Sequence, residues 1–544
     1  MNTPHTRTLL VILPALLLFG CSKKLDQTPK TDLSDVNFWN NTNDMKLACN
    51  YLYTLLPPIE SHEDDVMSAD AFGLSANTVS DGAWLPPATS DSWTNDYILI
   101  RACNNILEKS AKVKGDQEMI NKYLGETRFF RAMAYFDLVR RYGDVPLVLK
   151  TLQLTDTLLF SARTNREVVL DSVYADLDFA AANLPAAADQ PSEEYGRITS
   201  TAALAFTSRV GLFEGTRLKF FGGAGYQAHL QKAITTSDAV MAGDRALYVY
   251  SPKPDSSYYY LFQYSGEGQG NPENILVRIY GENQVNDISA NNYTREVLDE
   301  GLLMPTSNFT SAYLYKDGLP SDKSTYYQTQ TDTYTEFENR DPRMAMTIFN
   351  KKSWYVSGLY VPTFDYSQTG YRSCKYYIAA DWTINVSYID NIIIRYAEVL
   401  LNNIEARFEL NGSVTDQELD KTLNLIRTRA TMPSLTNGFV SSNGLDMRTE
   451  IRRERRIELA FEGFRYWDLL RWKMAETELP QSILGVKYFP NEQGQLDDPK
   501  LTPDGFIIVE DHSKRHFKPE RDYLWPIPTQ ELGLNKNLTP NPNW

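Results

Sequence analysis

The residue with the most readable chemistry is Cys21. It follows an apolar run of eleven residues, Leu9 to Phe19 (LLVILPALLLF), and comes directly after Gly20. Eleven residues give a helix of roughly 16 Å, against the ~30 Å of a bilayer's hydrocarbon core, so the run reads as a secretory signal rather than a span. A small residue before a cysteine at its end resembles the site where bacterial signal peptidases leave an acylated cysteine as the new first residue. Lipid on Cys21 would hold the mature chain on a membrane, and stable anchoring takes more than one acyl chain. Cleavage removes only one charged residue, Arg7, and takes the net charge from −15 to −16.

Catalytic motifs are scarce. The chain has no HExxH, GxSxG or GxxxxGK[ST], and His62, His229, His512 and His516 have no cysteine or serine companions. GEGQG at Gly266 lacks the strand and helix that a phosphate loop needs, so it reads as a surface turn. Cys49, Cys103 and Cys374 form no CxxC and read as buried thiols. No metal site and no cofactor is expected. Glycoside hydrolysis would need two carboxylates roughly 5 to 9.5 Å apart, which 69 acidic residues leave open.

A site that binds without catalysing would pair exposed rings with carboxylate, amide or guanidinium groups. Three loops offer such pairs. Trp84 stands in SDGAWLPP with Asp81 beside it, and Pro86 and Pro87 hold the chain extended. Tyr280 and Tyr293 flank an Asn-rich segment with Asn291 and Asn292. Trp354 and Tyr355 follow two lysines and precede Gly358.

The elements that must carry these loops are mostly helices. Helical spacing runs from Asp91 to Leu107 and from Tyr123 to Tyr142, the second ending at Gly143 and Pro146 with Arg140 and Arg141 at the negative end of the dipole. Three stretches resemble one another in setting small alanines beside large residues: those from Glu126, Ser200 and Ile393. Ala132 and Ala203 are 71 residues apart, about two tetratricopeptide periods. The predicted fold is mainly α, a helical repeat scaffold interrupted by an irregular insertion.

The predicted divisions are a signal over 1–20, a polar tether over 21–34, a helical region over 35–244, the insertion over 245–387, further repeat helices over 388–480 and a wrapping segment over 481–544. The insertion has 26 aromatics in 143 positions, 19 of them tyrosines, among Pro, Gly, Ser and Asn. That mix suits short strands and long loops, where binding usually sits. The stretch Asp446 to Glu476 is the most strongly patterned. Ile457, Ala460, Phe461, Phe464, Trp467 and Arg471 keep the helical period, while Glu450, Glu454 and Glu458 alternate with arginines, which predicts ion pairs along an ordered helix rather than a phosphate site. The net charge of −15 is the wrong sign for binding nucleic acid.

Taken in order, CSKKLDQTP at Cys21, FWNNTNDM at Phe38, RFFRAMAYFDLVRRYGDVPLV, KDGLP at Lys316, NRDPRM at Asn339, IIIRYAEVLLNNIEA at Ile392, RRERRIELAFEGFRYWDLLRW at Arg452 and YLWPIP at Tyr523 resemble the SusD/RagB outer-membrane lipoproteins of Bacteroidetes. The resemblance runs from Cys21 to the end. It implies tetratricopeptide-like helix pairs, no catalysis, and a surface-exposed lipoprotein that captures glycan and passes it to a SusC-like TonB-dependent barrel. A peptide ligand is the alternative in the RagB-like branch, and a surface glycoside hydrolase a more distant one. The family's placing of binding aromatics favours the loops around Trp84 and in the insertion. The tail NLTPNPNW departs from the usual Asn-Pro-Gly-aromatic ending. Lys23 and Lys24 stand where some surface-exported lipoproteins carry acids.

Overall fold

Local capping starts the helices where the apolar pattern begins. In α1 (Thr42–Tyr53) the Asn41 side chain accepts from the N–H groups of Asn43 and Asp44, and Asp44 reaches back to close a capping box. Ser90 opens α2 (Asp91–Lys109), and Asp116 opens α3 (Gln117–Tyr142), six residues before Tyr123. Gly143 (φ 74°) ends α3, as its breakers predict. The other long helices are α4 (Arg166–Asn183), α5 (Ser200–Phe220), α6 (Tyr226–Met241) and α7 (Tyr396–Asn411). Near the C-terminus follow α8 (Leu423–Arg429), α9 (Met447–Glu458) and α10 (Arg465–Arg471). The computed structural model describes residues 38–59, 63–281, 290–291, 293–384 and 386–544. The signal, Cys21, the tether, His62 and Asn292 lie outside them.

Successive helices pack as pairs: α2 on α3, α3 on α4, α5 on α6, and α6 on α7. Small residues set the closest approach. A Cβ on Gly211 would lie 2.7 Å from the His229 carbonyl, and one on Gly215 2.7 Å from the Leu230 side chain, so α5 can seat on α6 only with glycine there. Between α3 and α5 the rings of Phe129, Phe136, Phe206 and Phe213 interlock at 5.4 to 5.7 Å. This frame belongs to the larger core; Cys49 and Cys103 lie within it as free thiols, and burial pushes the Cys49 thiol up to about 12.

Between Arg245 and Ser387 no described helix exceeds six residues. Strand β1 (Asn274–Arg278) pairs antiparallel with β4 (Asn391–Arg395), tying the start of this region to the entry of α7. A two-residue hairpin, β2 (Trp354–Tyr355) with β3 (Gly358–Leu359), projects from it. Its tyrosines mostly face inward, forming a second core with Phe309, Phe461 and Ile457. Strands β5 (Ile483–Lys487) and β6 (Phe506–Glu510) pair in the last segment, which then runs back beneath α3, where Asn541 donates to the carbonyls of Tyr142 and Trp525.

The Asp446 to Glu476 stretch is not one ordered helix. After α9, Phe461 (φ 56°) and Gly463 (φ 77°) turn the chain sharply before α10. The predicted ion pairs do form, but most cross to other segments. Glu458 meets Arg343 at 2.9 Å and Arg395 at 2.6 Å and also pairs with Arg429; Glu454 meets Arg427 at 2.8 Å and Arg343 at 2.7 Å. Burial alone would raise the Glu458 carboxyl. The three arginines outweigh it and hold the group well below the usual range.

Candidate functional site

The loop before α2 is a clamp. Asn77 caps a short turn of helix, Thr78–Asp81, and the Asp81 carboxylate accepts from Ala83 N–H at 2.7 Å while its carbonyl accepts from His516 N–H at 2.8 Å. Gly82 (φ 76°) lies so close to His516 that a Cβ would collide with its carbonyl. The Trp84 ring meets Trp525 edge-on at 4.8 Å and Trp544 at 5.3 Å. Half-buried, it joins this loop to the C-terminal tail, and both Trp84 and Asp81 have structural partners.

Tyr280, Asn291 and Tyr293 turn inward, where the sequence suggested exposed rings. Tyr280 is 5% and Tyr293 3% exposed. The Tyr280 hydroxyl accepts from Ile59 N–H at 3.1 Å, and Tyr293 packs edge-on against Tyr376 at 5.7 Å. Asn291, buried, accepts from Tyr293 N–H at 3.2 Å and donates to the Ile389 carbonyl at 3.2 Å. The physical reason is the apolar context: ILVRIY from Ile275 carries Tyr280 on the end of a buried strand.

Trp354 behaves differently. It is 63% exposed, and so is its cross-strand partner Leu359, at 62%. Successive residues of a strand face opposite ways, so Tyr355 points inward, onto Phe349, Tyr360, Tyr377 and Trp382. The hairpin tip is strained: Val356 has φ 49°, a conformation costly for a β-branched residue. Its N–H donates to the Tyr377 hydroxyl at 2.7 Å, which pins the tip to the tyrosine cluster beneath. A fixed hairpin thus offers one indole face to solvent. On the Tyr355 side lie Arg372 and, over its guanidinium, Tyr366, 56% exposed; sequence reasoning missed both. A signal existed: from Tyr366 to Ala380 the chain has two cations and no acid.

A cavity of about 780 Å³ opens among α1, α2, α3 and α5. Polar groups line it, including Asn95, Asp96, Asp137, Arg140 and Arg209. Asp96 and Asp137 are in hydrogen-bond contact. Burial, reinforced by the Asp137 charge, holds Asp96 well above the carboxylate range. Burial would raise Asp137 too, but Arg140 and Arg141 outweigh it and hold it low. The pair therefore shares a proton. Its separation is too short for the water or nucleophile spacing of glycoside hydrolysis. Among the described residues no group of three or more His, Cys, Asp or Glu could hold a metal.

A helix-pair frame carrying an irregular aromatic region and a presented indole is the class that this geometry defines. A family model described as the SusD family matches residues 272–544, and a second, described as starch-binding associating with outer membrane, matches 35–212. The chain belongs to the SusD family. It is 25% identical over 501 residues to SusD-like protein P38 of Formosa agariphila, covering 86% of this chain and 91% of that one. A crystal structure of a SusD-like carbohydrate binding protein from Bacteroides fragilis superposes with a TM-score of 0.77 at 27% identity, covering 92% of this chain and all of that one. A laminarin-binding SusD-like protein gives a TM-score of 0.62 at 21% identity, covering 93% of this chain and all of its own.

Proposed function

We propose that this protein captures glycan without catalysis and passes it to a SusC-like TonB-dependent barrel, anchored at the outer membrane by lipid on Cys21. The observation that carries the ligand class is Trp354. Its ring stands exposed on a hairpin held by the Tyr377 hydroxyl, and a flat apolar face of this kind suits the C–H face of a sugar. Membership of the SusD family, and the carbohydrate binding named for its B. fragilis relative, support the same reading. The contacting-carboxylate geometry of Asp96 and Asp137 argues against a glycosidase there. No described helix is long and apolar enough to cross a membrane, in keeping with a lipid anchor.

A glycan array followed by calorimetry on the lipid-free protein tests the class, with peptide pools as the competing arm. Trp354→Ala should weaken glycan binding about tenfold; unchanged affinity would remove Trp354 from the site, and binding of peptide alone would replace the class. Cys21→Ala should release the protein from membrane fractions, and tagged wild-type protein should recover a barrel from gently solubilised membranes.

A further inference from the structure

Among the described residues, the buried arginines other than Arg340 and Arg372 each meet a carboxylate. Arg395 meets Glu273, Glu458 and Glu462. Arg340 at least donates to the Thr310 carbonyl at 2.8 Å, and Arg372 is the less satisfied of the two. It is 6% exposed, yet among the described residues its guanidinium makes one hydrogen bond, a long one of 3.4 Å to the Tyr355 hydroxyl, and its Nε has no acceptor. A guanidinium carries five donors, and a buried charge without a counter-charge is costly.

The neighbours repeat the pattern. The Tyr360 hydroxyl and the Trp382 indole N–H are also buried without a hydrogen-bond partner, and both rings pack on Tyr355, at 5.7 and 6.3 Å. All three orphans can donate. Around Tyr355 the protein therefore provides three donors without acceptors; the nearby Asp299 carboxylate is taken up by Arg295 at 2.9 Å, which leaves Arg372 without a counter-charge. Access lies past Tyr366, whose ring, 56% exposed, covers the guanidinium at 5.3 Å; exposed side chains change rotamer within nanoseconds.

We propose that Arg372, assisted by the Tyr355 and Tyr360 hydroxyls, binds an oxyanion of the glycan, a uronate carboxylate or a sulfate ester, at the foot of the Trp354 hairpin. This rests on the glycan reading above and narrows it to acidic glycans. The chain's net charge of −15 disfavours unspecific adhesion of anions, so a preference for an acidic glycan must come from a local site.

Calorimetry with matched twins tests it: oligogalacturonate against its carboxyl-reduced form, and a sulfated galactan oligosaccharide against its desulfated form. The wild-type protein should prefer at least one acidic twin by about tenfold or more, as charge-assisted hydrogen bonds imply, and the pair that shows it identifies the oxyanion. Arg372→Gln should abolish the preference, whereas Trp354→Ala should weaken both twins alike. Because Arg372 has no carboxylate partner to strand, Arg372→Gln should melt at or above the wild-type temperature. Equal binding of the twins, a preference that survives in Arg372→Gln, or a marked fall in melting temperature would each overturn the proposal. Neutral glycan bound in a Trp354-dependent way would then leave the glycan reading standing, while binding of no glycan would end both.

Discussion

The two halves of this molecule use the same residue types in opposite ways. In the frame around α7 and α9, buried arginines and glutamates meet in ion pairs, with Arg343, Arg395 and Arg427 at 2% exposure or less. At the Tyr355 cluster Arg372 is also buried but meets no carboxylate, only the Tyr355 hydroxyl at 3.4 Å. Aromatics show the same contrast, interlocked between α3 and α5 but open to solvent at Trp354 and Tyr366. The difference separates interactions that close on themselves, which stabilise the fold, from interactions left open, which are free to meet a ligand.

The sharpest way to break that comparison is in the closed half. Glu458→Ala would leave Arg343, Arg395 and Arg429 facing one another in the interior, and removing one member of a buried ion pair costs about 3–5 kcal/mol. Each arginine keeps another carboxylate, Asp341 and Glu454 for Arg343, Glu273 and Glu462 for Arg395, and Glu273 for Arg429, so the loss should fall within that range rather than beyond it, read as a fall in the denaturation midpoint. A loss below about 1 kcal/mol would mean that the network is not closed. Next comes the α9–α10 corner. Trp467 is 3% exposed and its Nε1–H donates to Asp64 at 2.9 Å, so Trp467→Ala should cost about 3–5 kcal/mol. Phe464, half-buried beneath Arg209 and Arg455, should cost clearly less. Equal losses would place Phe464 in the core, as its spacing in the sequence suggests.

That corner shows what could be read without coordinates. The period of α2 was legible because one buried face fixes it, whereas α3 and α5 are buried nearly all round and were legible by their alanines set beside large residues and, for α3, by the breakers at its end. The break at Phe461 and Gly463 was not, since the apolar spacing continues across it and the positive φ angles are set by contacts with the insertion core. Ion-pair partners were legible as a type but not as pairs: Glu273, Arg343 and Arg395 lie far from α9 in the chain. Among the loop aromatics, sequence could pick rings beside turn residues but not their direction. Trp354 and Tyr355 are neighbours, yet strand alternation sends one out and the other in, and only the pairing register decides which.

A smaller effect tests the boundary between the halves. Asp65, 5% exposed, accepts from Gly463 N–H at 3.1 Å, yet burial raises its carboxyl to about 8. A raised folded value means that the native state binds more protons than the unfolded chain between about pH 4 and 8. Stability is therefore fully present below pH 4, declines as pH rises and levels off above 8. Asp65→Asn should flatten that decline without abolishing it, because burial also raises Glu267 to about 8 and Asp390 to about 7. Denaturation midpoints across this pH range give the slope, and an unchanged slope in the variant would show that Asp65 is solvated.

The smallest stability effect should come from the residue with the largest proposed role in binding. Trp354→Ala removes a ring that is 63% exposed and loses only its cross-strand pairing with Leu359; exposed substitutions of this kind usually stay within about 0.5 kcal/mol. The hairpin keeps its shape in the variant, because Tyr355 still packs on Phe349, Tyr360 and Tyr377 and Val356 N–H still donates to the Tyr377 hydroxyl. Tyr355→Ala supplies the contrast: it empties the tyrosine cluster and should cost several times more, though it changes the adjacent residue. If Trp354→Ala instead cost as much as Tyr355→Ala, the indole would be packing the loop onto the body, and Trp354 would belong with Trp84 among the aromatics that hold the fold together.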